Sequence, residues 1–214
     1  MADPLRLLVL VSGSGTNLQA LLDAEKAGRL QGRIVGVVSD REDAYALERA
    51  RAALVPAIVE LPDRSLPRLE RRRELSDRIL SRARSLRADA IVFAGFLSIL
   101  EGPLIDAYAG AMINLHPSLL PKFGGAGMYG EKVHAAVLAA GERESGCTVH
   151  LVDAGTDTGP VLLQRRVPVL AGDTPGTLAG RIHVEEHIAI VEGVAVLARR
   201  MNKSAAPRHG AAEE

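Results

Sequence analysis

Aromatic residues are scarce: three Phe, three Tyr and no Trp amount to 3% of a 214-residue chain. So few stacking platforms argue against a binder of single-stranded nucleic acid. Cysteine is scarcer still. Cys147 stands alone, which excludes a disulfide framework and a cysteine-based metal site. Net charge is also lacking. Lys plus Arg number 26 and Asp plus Glu number 26, so the formal charge is zero. Such a chain has no overall field to draw nucleic acid or an anionic membrane to it. No apolar run approaches the ~20 residues that span a bilayer. The opening MADPLRLLVLV carries early charges and runs straight into a strand pattern, unlike a signal peptide. Hydrophobic residues, in contrast, reach 47%, enough to build a sizeable core and to exclude global disorder. A soluble cytoplasmic protein with no nucleic-acid or membrane partner is expected.

The rhythm of the chain is strand, turn, helix. Short apolar runs at Leu5 to Val11, Ile34 to Ser39, Pro56 to Leu61 and Ala88 to Ala94 read as strands. Between them fall a helix with Leu18, Leu21 and Leu22 on one face, a helix near Ala44 to Ala53, and an Arg-rich helix over Leu66 to Arg87. Strands that are apolar throughout indicate a parallel sheet covered on both faces. After Met112 to Leu115 the pattern changes to a Pro-containing loop and a helix near Val133 to Ala140. Two strand-like segments follow, Thr148 to Val152 and Val161 to Val169, and then a helix over Thr177 to Met201. The last dozen residues have the composition of a tail.

Ser12-Gly13-Ser14-Gly15-Thr16-Asn17 joins the first strand to the first helix, with Thr16 or Asn17 as the expected N-cap. Backbone N–H groups at such a helix start can face an anion, most often a phosphate. A tight turn without a ligand is the alternative. Leu18 stands where a dinucleotide fingerprint needs its third glycine, and no Gly-Lys-Ser/Thr ending marks a nucleotide triphosphate loop. A single phosphomonoester therefore fits best. Asp40, after the second strand, is the one feature that favours a dinucleotide.

Asn114 and His116 are two residues apart in an extended segment, so they project to the same side at a strand end. Open α/β sheets bind ligands there. An amide donor beside an imidazole suits acyl transfer through a tetrahedral oxyanion: Asn114 would hold the developing charge and His116 would donate or relay a proton. The alternative is a polar strand end that caps its own backbone. Further along, Asp153-Ala154-Gly155-Thr156-Asp157 is a glycine-spaced loop with two carboxylates. A carboxylate brought near His116 would favour its charged form. Spacing alone leaves open whether Asp157 meets it, or whether the loop is a turn with solvated acids.

Taken together, GSGTNLQALLDA, AGFLSIL, INLHPSLLPKFGG, GCTVHLVDAGTDTGP and the stretch around VEEH resemble the glycinamide ribonucleotide formyltransferases of the folate-dependent formyltransferase family, from about Leu5 to Arg200. The resemblance implies an open, mostly parallel twisted α/β sheet with helices on both faces, in a single Rossmann-like domain over residues 1–201, with a flexible tail at 202–214. It implies transfer of a formyl group from 10-formyltetrahydrofolate to the amine of glycinamide ribonucleotide in purine synthesis, by direct attack through a tetrahedral intermediate, without a metal. Asn114, His116 and Asp157 fall on the catalytic trio, with Asp157 keeping His116 charged. Gly15, Thr16 and Asn17 fall on the substrate phosphate loop, Glu186 and nearby His183 on the ribose site. Arg68, Leu97, Ser98, Ile99, Leu100 and Asp153 fall on the folate pocket. Two departures from the family pattern stand out: Leu97-Ser98 replaces a common Met-Arg, and the loop after Lys122 reads Phe-Gly-Gly-Ala-Gly-Met-Tyr-Gly, a flexible lid by expectation.

The remaining features are expected to be structural. Cys147 reads as a packed thiol and the Arg-rich helix as a solvated face with i,i+4 pairs. His134 and His209 read as surface residues and His187 as a support for Glu186. His150 reads either as a site residue or as a core histidine. The nearest rivals are a methionyl-tRNA formyltransferase, expected to carry a C-terminal RNA-binding domain, and a formyltetrahydrofolate hydrolase, expected to carry an N-terminal regulatory domain. A dinucleotide-dependent oxidoreductase is a rival of another class. A monomer and a homodimer remain equally open.

Overall fold

In the computed structural model, which describes residues 4–205, the first strand runs through the middle of the core. β1 (Leu5–Val11) has Leu7 to Val11 at 0% exposure. Alternation sends Leu7, Val9 and Val11 into one apolar cluster and Leu8 and Leu10 into another on the opposite face of the sheet. Truncating one such leucine to Ala costs about 2–5 kcal/mol. Around β1 the elements follow in order: α1 (Thr16–Lys26), β2 (Gly32–Ser39), α2 (Tyr45–Ala52), β3 (Ala57–Val59), α3 (Arg68–Ser85), β4 (Ala90–Phe93), α4 (Pro103–Ala107) and β5 (Met112–His116). The chain continues through α5 (Glu131–Ala139), β6 (Glu144–Leu151), β7 (Val161–Pro168) and α6 (Pro175–Ala205).

The seven strands form one sheet in the order β3-β2-β1-β4-β5-β6-β7. From β3 to β5 the neighbours are parallel; β6 and β7 are antiparallel. Leucines of α1 and α6 fill one face, while Leu75 and Ile79 of α3 and Leu104 of α4 fill the other. The mostly parallel, double-covered sheet expected from the sequence is therefore present. Successive crossovers run outward from β1 to β3 and then return to β4, so the carboxyl ends of β1 and β4 open a crevice at the switch point.

Local differences from the sequence reading have physical causes. The first helix is capped by Gly15 in a left-handed conformation (φ 72°), without a side-chain cap, and not by Thr16 or Asn17. α4 has five residues, too few to show a period. β6 begins at Glu144, four residues before the expected start, because β7 pairs with that polar segment and Arg166 bridges to Glu144. α6 continues to Ala205, past the expected tail boundary. The rest of that tail, with His209, lies outside the described residues. Among the described residues no helix is long and apolar enough to cross a membrane.

Candidate active site

A cavity of about 420 Å³ opens over the carboxyl ends of β1, β4 and β5. Gly15, Thr16 and Asn17 form one wall and the segment Leu97 to Leu100 another. Asn114 and His116 rise from β5, and Asp153 and Asp157 come from the β6–β7 connection. His183 and Glu186 of α6 complete the side facing α1. Arg68 does not join them. It is an exposed residue in the first turn of α3, outside the cavity lining. Arg72, one turn further along, reaches the cavity-side segment instead, through Glu101 at 2.6 Å.

The strand register gathers the polar centre. Asn114 stands opposite His150 across the β5–β6 ladder, and a register shift between Val149 and His150 on the β7 side re-aims the strand at that point. His150 Nδ1 faces the Leu151 carbonyl at 2.8 Å. That carbonyl only accepts, so Nδ1 carries the hydrogen and Nε2 accepts from the Asn114 amide at 3.0 Å. The same amide nitrogen donates to Asp157 Oδ1 at 3.3 Å. Asp157 Oδ2 lies 3.4 Å from His116 Nδ1 and accepts the Gly125 N–H at 3.0 Å. His116 Nε2 donates to the Phe123 carbonyl at 2.8 Å. Both residues that hold the His116 ring, Asp157 (φ 58°) and Phe123 (φ 56°), adopt left-handed backbone conformations. Such strain persists only where the surroundings over-determine it.

Charge follows from this packing. Burial pulls the His116 pKa below its ordinary 6.5, against the upward pull of Asp157 and of the Phe123 carbonyl. Asp157 acts to favour the charged ring, while at 5% side-chain exposure the loss of water acts the other way and is the larger effect. For Asp157, burial acts upward, but the His150 ring beside Oδ1, the nearby His116 ring and the Gly125 N–H hold its carboxyl below the usual range. Burial raises the pKa of Glu186, which Asn17 Nδ2 approaches at 3.5 Å and His183 Nε2 at 3.7 Å. Asn17 Oδ1, on the same wall, is buried without a partner.

The two acids of the β6–β7 connection divide the work. Asp153 Oδ1 accepts from the Gly155 N–H and the Thr158 hydroxyl, shaping its own loop, while Asp157 turns to the histidines. Ser98 donates to Asp40 at 2.6 Å, so Asp40 buttresses the cavity wall. Gly125 to Gly130, from the glycine-rich loop, cover part of the opening.

His134 overturns the expectation of a surface residue. It is 2% exposed, one of the buried residues of α5 with Val133 and Val137, lines the cavity, and leaves Nδ1 unpartnered. Its place on the apolar face of α5 was the available signal. His150, left open by the sequence, both lines the cavity and is hydrogen-bonded at its two ring nitrogens. Cys147 is 0% exposed, and burial pushes its thiol up to about 12, which makes it inert. In α3, Arg78 pairs with Glu74 at i,i+4, and Arg78 and Arg82 both hold buried Glu60.

Comparison with known proteins places these positions in context. Residues 5–194 match the formyl transferase family. The trifunctional purine biosynthetic protein adenosine-3 of Drosophila pseudoobscura pseudoobscura is 43% identical over 199 residues, covering 90% of this chain, and the chain spans only 14% of that protein's length. The phosphoribosylglycinamide formyltransferase of Escherichia coli strain K12 is 39% identical over 183 residues, covering 86% of this chain and 82% of the relative. The crystal structure of glycinamide ribonucleotide transformylase 1 from Symbiobacterium toebii superposes with a TM-score of 0.84 at 40% identity, covering 94% of this chain and 90% of that one.

Proposed function

The chain belongs to the formyl transferase family, and from that premise we propose that it moves the formyl group of 10-formyltetrahydrofolate to the amine of glycinamide ribonucleotide, a step of purine biosynthesis. One observation carries this reading. Asn114, His116 and Asp157 converge in the same cavity as the Gly15–Asn17 helix start. That pairs an acyl-transfer centre with an anion-binding wall.

The phosphate of the ribonucleotide would take the loop at Gly15, Thr16 and Asn17, whose first-turn N–H groups have no intrahelical acceptor. Glu186 and His183 would take the ribose hydroxyls, and Asn17 Oδ1 would find its missing donor there. The folate would lie along Leu97, Ser98, Ile99 and Leu100 and the Asp153 loop, supplying the formyl carbon. The apolar side chains of this wall beside exposed loop backbone suit a flat heteroaromatic ring with a polar edge.

The amine attacks the formyl carbon directly. Asn114 turns one amide hydrogen from Asp157, the longer of its two contacts, to the developing oxyanion. His116, neutral at rest, takes up the proton that the attacking amine loses; as the tetrahedral intermediate collapses, the bond from the formyl carbon to the folate nitrogen breaks, and the same proton passes to that departing nitrogen. Asp157 beside Nδ1 stabilises the imidazolium as it forms, and the Phe123 carbonyl holds Nε2.

The test is a spectrophotometric assay of folate product with the full chain and both substrates. Product release that depends on glycinamide ribonucleotide is expected. Release without the amine would replace this reading with a hydrolase, and no release with either would overturn it.

A further inference from the structure

The glycine loop is gripped from behind by α2, a helix that supplies no residue to the cavity lining. Arg49 Nε donates to the Ser14 carbonyl at 2.8 Å, and its Nη1 donates to Gln19 Oε1 at 3.0 Å. The guanidinium lies over the Tyr45 ring, 5.0 Å from the centroid. Beside it, the Ala46 N–H donates to the Gly13 carbonyl at 3.0 Å. A Cβ on Gly15 would sit 2.6 Å from Ala46 Cβ and 3.3 Å from Arg49 Cδ, so loop and helix are in close contact. Gly13, Ser14 and Gly15 nevertheless all line the cavity on their other side.

A trans peptide points its carbonyl and its N–H in opposite directions. Binding the Gly13 and Ser14 carbonyls to α2 therefore turns the N–H groups of Ser14 and Gly15 toward the cavity. We propose that Arg49 is the positioning residue that presents these N–H groups to the substrate phosphate. The inference rests on the formyl-transfer reading and deepens it at the phosphate end. Arg49 itself does not touch the substrate. Its planar fork reaches two acceptors in fixed directions while the ring of Tyr45 holds it flat, which an ammonium group cannot reproduce.

The experiment compares the full chain with its R49M and R49K variants in steady-state kinetics. In R49M the KM for glycinamide ribonucleotide rises at least about tenfold, the scale of one hydrogen bond to a charged group. The kcat and the KM for folate stay near wild type, a split that a merely structural role would not produce. R49K, which keeps the charge and loses the fork, stays closer to R49M than to wild type. An unchanged KM in R49M, a full return to wild-type KM in R49K, or an equal loss in all parameters overturns the proposal. Thermal unfolding with inorganic phosphate separates this inference from the reading beneath it. If wild type catalyses no transfer but phosphate raises its Tm and not that of R49M, the formyl-transfer reading fails and the Arg49 role stands. If transfer is normal and phosphate stabilises R49M equally, the Arg49 role fails alone.

Discussion

Asp157 Oδ2 lies 3.4 Å from His116 Nδ1, yet burial of the ring outweighs the carboxylate and pulls the His116 pKa below its ordinary value. The carboxylate still acts upward on the ring, so its loss has a defined sign. NMR titration of wild type is expected to give a His116 midpoint below 6.5, and Asp157→Asn is expected to lower it further. A midpoint that rises in the variant would contradict the assigned electrostatics.

Turnover depends on the same pair. His116→Ala and Asp157→Asn each reduce kcat by about 10²–10⁴-fold, the usual contribution of a placed acid–base group, with circular dichroism unchanged. The acid limb of kcat/KM follows the lowered His116 pKa, because the neutral ring is the form that accepts the proton. Activity therefore persists to below pH 6.5 before falling. Near-normal turnover in both variants would remove these residues from the chemistry.

Gly15→Ala places a Cβ 2.6 Å from Ala46 Cβ at a backbone φ of +72°. A loss of about 1–3 kcal/mol in urea unfolding is expected from strain of this kind. Gly13→Ala, where nothing lies within 4 Å and φ is not positive, serves as the control and should stay within about 0.5 kcal/mol.

Ser98→Ala removes the hydroxyl that donates to Asp40 Oδ2, on a side chain whose Oδ1 is already buried and unpartnered. Leaving that carboxylate unsatisfied should destabilise the fold by about 1–3 kcal/mol. The double variant with Asp40→Asn should recover part of the loss. Equal stability of Ser98→Ala and wild type in chemical unfolding would show that the contact contributes nothing.

Burial, and next the neighbouring His183, lower the His134 pKa from 6.5 to about 4. Between those values the unfolded chain takes up a proton that the folded one refuses, so acidification favours unfolding. The stability this group contributes is intact above pH 6.5, declines as pH falls, and stops changing below about 4. Urea midpoints measured across that window should fall more steeply for wild type than for His134→Gln. Parallel pH dependences would exclude the assignment.

Much of this was legible in the residues themselves. Continuous apolar strands separated by helical periods gave the sheet, because burial on both faces demands that pattern. The spacing of Asn114 and His116 put them on one side of β5, because side chains alternate along a strand. What was not legible depended on partners far away in the chain. β6 extends to Glu144 through pairing with β7, and α4 is too short to carry a period. Arg68 drops out of the cavity because only the packed helix decides which turn faces it, and His134 is buried by neighbours that no local window contains.

The sequence by itself determined the order of the elements, the glycine turn and the pair of side chains at the end of β5, all set by local geometry and periodicity. Tertiary structure alone decided that Asp157 reaches His116 from a distant loop, that α2 holds the glycine loop from behind, and that burial pulls the histidine's pKa down. Desolvation sums over every group that displaces water from the ring, and no stretch of sequence specifies that sum before the chain has folded.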